Sequence, residues 1–157
     1  MAKEVKEIKL TQRGYDRLKA KLDERIKVRR PEILERIKEA RAQGDLSENA
    51  EYSQALEDQG FNEGAIEKLE NTLKRATIIQ VDPNSEVVSL GCSVILEDVQ
   101  LNDVRLYQIV GTEEADAFED LISNECPVGN AIIGHKVGET VLVDTPDGKL
   151  EYRIVSF

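Results

Sequence analysis

The chain of 157 residues has no tryptophan, one histidine, one methionine and two cysteines, and aromatic residues make up only 4% of it. Each shortage excludes something. So few aromatics argue against a large apolar ligand pocket. Cys92 and Cys126 lie far apart and lack metal-ligand spacing, which disfavours a zinc finger and reads as two free thiols of a cytoplasmic protein. The single histidine, His135, follows Gly134 in a turn and reads as a surface residue rather than a base. No run of about 18 apolar residues is present, so no transmembrane helix is expected and no membrane partner with it. No apolar stretch follows Met1-Ala2-Lys3-Glu4-Val5-Lys6-Glu7, so the start does not read as a secretory signal. There is no phosphate-binding glycine loop. Ser123-Asn124-Glu125-Cys126 forms no nucleophile motif with a histidine near in sequence, and Cys126 reads as a core thiol. Tyr107, Phe118, Tyr152 and Phe157 read as core or edge residues of a sheet.

What the chain has in quantity is charge, 33% of its residues, with a net charge of −10. The excess is uneven. Residues 1–78 hold 17 Lys+Arg against 16 Asp+Glu, and residues 79–157 hold 4 against 15. Lys9 to Arg30 is strongly basic, with nine cations and three anions, and Asp45 to Glu70 is strongly acidic, with eight anions and one cation. Two antiparallel helices with these faces would neutralise each other; alternatively the basic stripe could follow a nucleic-acid backbone or an acidic protein wall. Free binding to duplex nucleic acid by so acidic a protein is expected to be weak.

Leu18, Leu22, Ile26, Ile33, Ile37 and Ala40 recur at three-, four- and seven-residue steps, an apolar seam on a long helix. Thr11 fits its N-cap, and Pro31 predicts a kink or a restart at the first helical position. Tyr52, Ala55, Leu56, Ile66, Leu69, Leu73 and Ala76 form a second seam. Its middle contains Gly60 and Gly64, read as points of close helix contact or local irregularity. Residues 1–78 are therefore expected to form an antiparallel helical hairpin that projects from the rest, because about 33 helical residues span roughly 50 Å. Near Thr77 the pattern becomes that of strands. Thr77–Val81, Ser93–Glu97, Val104–Val110, Thr140–Asp144 and Leu150–Val155 alternate, Pro146-Asp147-Gly148-Lys149 marks a hairpin turn, and Pro127 to Gly134 reads as a short helix. Residues 79–157 thus predict a small domain with an antiparallel sheet, and the chain as a whole reads as α+β.

Between the two helical seams stands Gly44-Asp45-Leu46-Ser47-Glu48-Asn49-Ala50-Glu51-Tyr52. Gly44 marks the turn, so Asp45 and Glu48 sit at the tip of the hairpin. Two readings of the pair are compatible. Asp-x-x-Glu matches a capping box, with Asp45 as N-cap and Glu48 at the third helical position. If helical geometry starts there, the two carboxylates also share one face and are suited to a hard cation such as Mg²⁺ held jointly with another molecule.

Arg29-Arg30-Pro31-Glu32-Ile33, Ala40-Arg41, the tip segment Gly44 to Tyr52, and Gln59-Gly60-Phe61 together resemble the Gre family of bacterial transcript cleavage factors. Tyr107-Gln108-Ile109-Val110-Gly111, Glu114-Ala115-Asp116, Leu121-Ile122-Ser123 and Pro127-Val128-Gly129 extend the resemblance over nearly the whole chain. It implies an N-terminal coiled coil, a C-terminal FKBP-like domain and bacterial RNA polymerase as partner. It implies that the second domain docks at the rim of the secondary channel, through the region of Ser123, Cys126 and Pro127. The coiled coil would enter the channel, where Asp45 and Glu48 help position a Mg²⁺ shared with the polymerase while the backtracked RNA 3′ end is cleaved. By this resemblance the protein is not an enzyme alone and needs no cofactor of its own. Arg41 fits the family's RNA-contacting basic patch. Two positions depart from the pattern: Leu56 stands where relatives often have a basic residue, and Cys126 where they often have serine. Three other functions fit the sequence less well. An inhibitory channel factor would have no need of the spaced acids. A prolyl isomerase or chaperone would need an apolar pocket, and a plain coiled-coil scaffold leaves the tip sequence unexplained.

Overall fold

The computed structural model describes Glu4 and residues 6–157. The elements in order are β1 (Ile8–Leu10), α1 (Gln12–Glu24), a π-helical segment (Arg25–Arg29), α2 (Arg30–Ala42), α3 (Ala50–Lys74), β2 (Ala76–Ile78), β3 (Ser93–Asp98), β4 (Asp103–Val110), a 3₁₀ turn (Ala117–Glu119), β5 (Leu121–Ser123), α4 (Pro127–Ile132), β6 (Thr140–Thr145) and β7 (Gly148–Ser156). They divide into two compact units. One holds Tyr15–Ala76; the other holds Thr77–Phe157 together with Glu7–Gly14. The short strand β1, which the alternation pattern did not flag, pairs with β2 in a two-stranded sheet. The strand expected over Thr77–Val81 is accordingly shorter, ending at Ile78, and lies outside the five-stranded sheet. Thr11 caps α1, its Oγ1 accepting from the Gly14 N–H at 3.0 Å. The Glu114 carboxylate accepts from the Thr11 N–H at 3.0 Å and from its hydroxyl. A Cβ on Gly14 would meet that carboxyl group at 2.2 Å, so a side chain there would displace the Glu114 tip from Thr11.

The helical unit is a hairpin of α2 against α3. Ile33, Ile37 and Ala55 are buried along the seam with Tyr52 packed beside them, and Ala40 and Ile66 are buried as well. Leu56 is not part of the seam; it is 39% exposed. Pro31 is the second residue of α2, which continues without a break from the π-helical segment, so its missing N–H falls where the ladder has shifted to the π-type bond from the Arg30 N–H to the Arg25 carbonyl. The irregularity expected around it lies just upstream, as the π-helical segment. There the buried Asn62 of α3 answers it: Asn62 Nδ2 donates to the Arg25 carbonyl at 3.3 Å, and Arg25 Nη1 donates to Asn62 Oδ1 at 3.1 Å. The glycines of the return arm do neither of the things expected of them. α3 runs unbroken through Gly60 and Gly64, and a Cβ at either would meet nothing within 4 Å.

Charge neutralisation between the arms is visible pair by pair. Arg30 donates two bonds to the Glu63 carboxylate at 2.7 and 2.8 Å, and Arg36 reaches Asp58 at 2.8 Å. These bonds hold the Glu63 and Asp58 carboxyls below the usual range. The pairs are at the surface, so they set register more than stability.

The second unit is built on a five-stranded sheet in the order β5-β4-β3-β7-β6. Pairings β3–β4, β3–β7 and β6–β7 are antiparallel, as the patterns predict. The added pair β4–β5 is parallel, so the sheet is mixed. Val94, Leu96, Ile109, Val141, Val143 and Ile154 point into one core with Val88, Cys92 and Ile132 of α4. Tyr107 and Tyr152 pack on that core, whereas Phe118 is 99% exposed, against the expectation of a core or edge position. Nothing in the structure explains that exposure.

α4 approaches β5 so closely that a Cβ on Gly129 would lie 2.1 Å from the Ser123 carbonyl oxygen. Backbone cannot give way there as a side-chain tip could. Gly129→Ala is therefore expected to destabilise the second unit by about 1–3 kcal/mol, the usual cost of overpacking, read as a lowered thermal midpoint. An unchanged midpoint would mean that α4 can back away from β5 freely.

Candidate functional site: the hairpin tip

Helix α2 ends at Ala42 and α3 begins at Ala50, so the reversal takes place within Gln43–Asn49. Gly44 has φ +114°, a conformation that side chains disfavour and glycine accepts. Asp45 and Glu48 both lie in this loop and both are exposed. The N-cap of α3 is Asn49, whose side chain accepts from the Tyr52 N–H at 3.0 Å. The capping-box expectation is therefore corrected: Asp45 is not the N-cap and Glu48 is not in the first helical turn. The two carboxylates are not held on one helical face either. Asn ranks with Asp as a cap, and Asn49 stands four residues further along; the two candidates cannot be told apart by spacing.

Asp45 is fixed by a small turn of its own. Its Oδ1 accepts from the Ser47 N–H at 2.9 Å and from the Ser47 hydroxyl at 2.8 Å. Both bonds favour the ionised form, and they hold the Asp45 carboxyl below the ordinary aspartate range, the backbone bond contributing most. The other oxygen, Oδ2, takes no part in this turn. The loop thus presents two carboxylates to solvent, one of them oriented by its bonds from Ser47.

Arg41, on the last turn of α2, lies with its guanidinium 5.8 Å from the centre of the Tyr52 ring, within reach of a cation–π contact. It is exposed, and Lys38, also exposed, lies one turn before it. Arg41 and Lys38 line a shallow groove with Leu34, Ile37, Leu56 and Gln59. Leu56 therefore gives this part of the hairpin an aliphatic wall.

Ser123, Cys126 and Pro127 fall together in the second unit, where β5 passes into α4. Ser123 Oγ accepts from the Glu125 N–H at 3.0 Å and pairs with Thr112 Oγ1 at 3.1 Å. Cys126 is the N-cap of α4, its Sγ accepting from the Gly129 N–H at 3.3 Å, and Pro127 opens the helix. Cys126 is thus a half-buried capping thiol and not the core thiol anticipated; Cys92 is the buried one. His135 sits at the surface with its Nδ1 2.6 Å from Glu139.

Sequence reasoning missed Asn49 and Ser47, although both lie inside the motif it singled out. Asx and Ser side chains that bond backbone two or three residues on are the available signal. No three His, Cys, Asp or Glu side chains come together to hold a metal ion among the described residues. Two exposed carboxylates are a fitting fragment for Mg²⁺, which prefers oxygen donors and often takes only one or two from protein.

Comparison with known proteins places both parts of the chain. A family model described as the N-terminal part of transcription elongation factors GreA/GreB matches residues 8–78, and a model described as their C-terminal part matches residues 82–157. A transcription elongation factor GreA of Macrococcus caseolyticus is 47% identical over 95% of this chain and 94% of its own. One of Alkaliphilus oremlandii is 46% identical over 96% and 95%. Among solved structures, GreA factor homolog 1 of Thermus thermophilus shares 33% identity over 96% of this chain and 98% of its own, with a TM-score of 0.45.

The two bonds from Ser47 yield a direct expectation. Carboxyl-detected NMR titration should place the Asp45 pKa below that of an ordinary aspartate, and Ser47→Ala, which removes the hydroxyl bond and keeps the backbone one, should move it part of the way back up. An Asp45 titration indifferent to Ser47→Ala would remove this account of the ionised tip.

Proposed function

The chain belongs to the GreA/GreB family of transcription elongation factors, and on that footing we propose that it acts on bacterial RNA polymerase by donating tip carboxylates to the polymerase's own cleavage of backtracked RNA. What carries the reading is the pair Asp45 and Glu48, exposed at the turn of a helical hairpin, one of them held ionised by Ser47. The pair is an incomplete oxygen-donor set. No third His, Cys, Asp or Glu joins it to form a metal-holding group among the described residues, and in this reading the partner supplies the other ligands. The protein in this reading is not an enzyme by itself and works in the cytoplasm, where transcription runs.

Asp45 and Glu48 would hold a Mg²⁺ together with the polymerase's ligands. A metal ion there lowers the pKa of a bound water and stabilises developing charge on phosphate oxygens. Presentation of the tip and docking fall to residues of this chain. The apolar seam of Ile33, Ile37 and Ala55 keeps the two arms together, so that the tip can enter the secondary channel as a rigid element. The Asp45–Ser47 turn keeps one carboxylate charged and aimed. Arg41, flanked by the aliphatic groove at Leu34 and Leu56, offers a cation to the RNA 3′ end. The Ser123–Pro127 segment of the second unit supplies the docking contact at the channel rim, its shape fixed by Gly129 and the Cys126 cap.

Asp45→Asn and Glu48→Gln are expected to lower single-turnover cleavage of 3′-labelled backtracked RNA at saturating factor by at least roughly 10², the scale of losing a transition-state electrostatic contact. Both should melt like the wild type, because Asn49 and not Asp45 caps α3, and both should still compete with unmodified factor for polymerase. Added Mg²⁺ should partly restore cleavage. Wild-type cleavage by either variant would end the donor role of that residue.

Docking is tested separately. Ser123→Arg or Pro127→Glu in the full chain should raise the concentration needed for half-maximal cleavage while leaving the rate at saturation near wild type. A fall at saturation with no change in the concentration dependence would contradict a docking role for this segment.

A further inference from the structure

We infer that Asn49 is a positioning residue for the tip carboxylates, acting as a tie between the end of α2 and the start of α3; this rests on the proposed role of Asp45 and Glu48. The Asn49 carboxamide faces two ways. Its Nδ2 donates to the Ala40 carbonyl at 2.8 Å, and its Oδ1 accepts from the Tyr52 N–H at 3.0 Å. Ala40 O belongs to the last turn of α2, where carbonyls lack helical donors, and Tyr52 N–H belongs to the first turn of α3, where amides lack helical acceptors. One side chain therefore bonds a terminal backbone group on each helix, the Ala40 carbonyl accepting from the Gln43 N–H at 3.3 Å as well.

The consequence is mechanical. The reversal passes through Gly44, whose left-handed backbone meets no neighbour that a Cβ could touch. The Asp45–Ser47 turn stiffens the loop only internally, since both its bonds stay within three residues. Asn49 joins the far end of the loop to the other helix by a hydrogen bond, beside the contact of Arg41 of α2 with the Tyr52 ring of α3. With the tie in place, Asp45 and Glu48 are carried on a loop fixed at both ends. Without it, the loop is fixed to α3 and swings about Gly44.

This role goes beyond capping, and the two separate by chemistry. Serine caps a helix about as well as asparagine but has one short hydroxyl and cannot also reach the Ala40 carbonyl. Aspartate keeps the acceptor and loses the donor. Asn49→Ser and Asn49→Asp therefore both retain the cap and break the tie, one without added charge and one with it.

The test uses the full-length protein. Backbone ¹⁵N relaxation of residues 45–48 and of residues 50–56 would be measured in the free factor, with thermal melting, competition for polymerase, and single-turnover cleavage at saturating factor. We expect melting and competition like the wild type, order parameters lowered in 45–48 and unchanged in 50–56, and saturating cleavage reduced roughly 10-fold or more, as small misplacements of reacting groups produce. Should Asn49→Ser melt lower through fraying of α3, Asn49→Asp carries the same expectation with an equally strong cap. Wild-type order parameters in 45–48 for both variants would overturn the tie. Lowered order parameters with undiminished saturating cleavage would overturn its role in positioning. Asp45→Asn run in parallel keeps the two ideas apart. If that variant cleaves normally the metal reading fails, whereas the relaxation result judges the tie on its own.

Discussion

A helical hairpin that reverses in the seven residues Gln43–Asn49 leaves carbonyls at one helix end and amides at the other without helical partners. Everything the tip offers depends on how those groups are satisfied. Tying them through one carboxamide, as Asn49 does, makes the loop part of both helices at once. The alternatives are hydration or separate caps, which satisfy the same groups and leave the loop free to move. The acids of the motif are then released from capping duty, and their oxygens remain available for another molecule.

The stiffness below the tip has a different origin. The seam is short of bulk, with Ile33, Ile37 and Ala55 at its centre, so the arms lie against one another through small contacts. Ion pairs such as Arg30–Glu63 and Arg36–Asp58 are exposed and stabilise little. They are nonetheless directional: a bidentate guanidinium–carboxylate pair fixes relative position along the arms more sharply than an apolar contact does. Asn62 adds a second fixed point by answering the Arg25 carbonyl where the helix loosens into its π-helical segment. Register along the hairpin therefore comes from polar pairs and cohesion from the seam.

The architecture was legible in the sequence to the extent that period reveals it. Three- and four-residue steps gave the helical arms, alternation gave β3, β4, β6 and β7, and Pro127 gave the start of α4. β1 and β5 have three residues each, too few for alternation to register. The parallel β4–β5 pairing is a tertiary fact with no local mark. At the tip, the residues that matter were visible as a motif but their division of labour was not. Asp45 and Asn49 are both good caps by type, and only the path of the backbone decides which of them faces the amides. Gly60 and Gly64 mislead for the same reason: glycine in a helix signals a possible close approach, and only the neighbour's position shows that none occurs.

Under the proposed reading, the exposed tip carries only half a metal site. Two carboxylates supply two or so of the six oxygens that Mg²⁺ requires, and both are exposed to solvent in the free protein. Held in water, the pair gains little by gathering an ion, since the attraction is screened and the geometry is incomplete. Brought to a partner that supplies the other ligands, the same pair adds its charge in a confined, low-dielectric setting, where each interaction counts for more. Under the proposed reading, the activity is conditional because neither molecule holds a complete site. The structural requirement on this chain is then modest in chemistry and strict in geometry: two acids, presented at a defined spacing by a loop that does not drift.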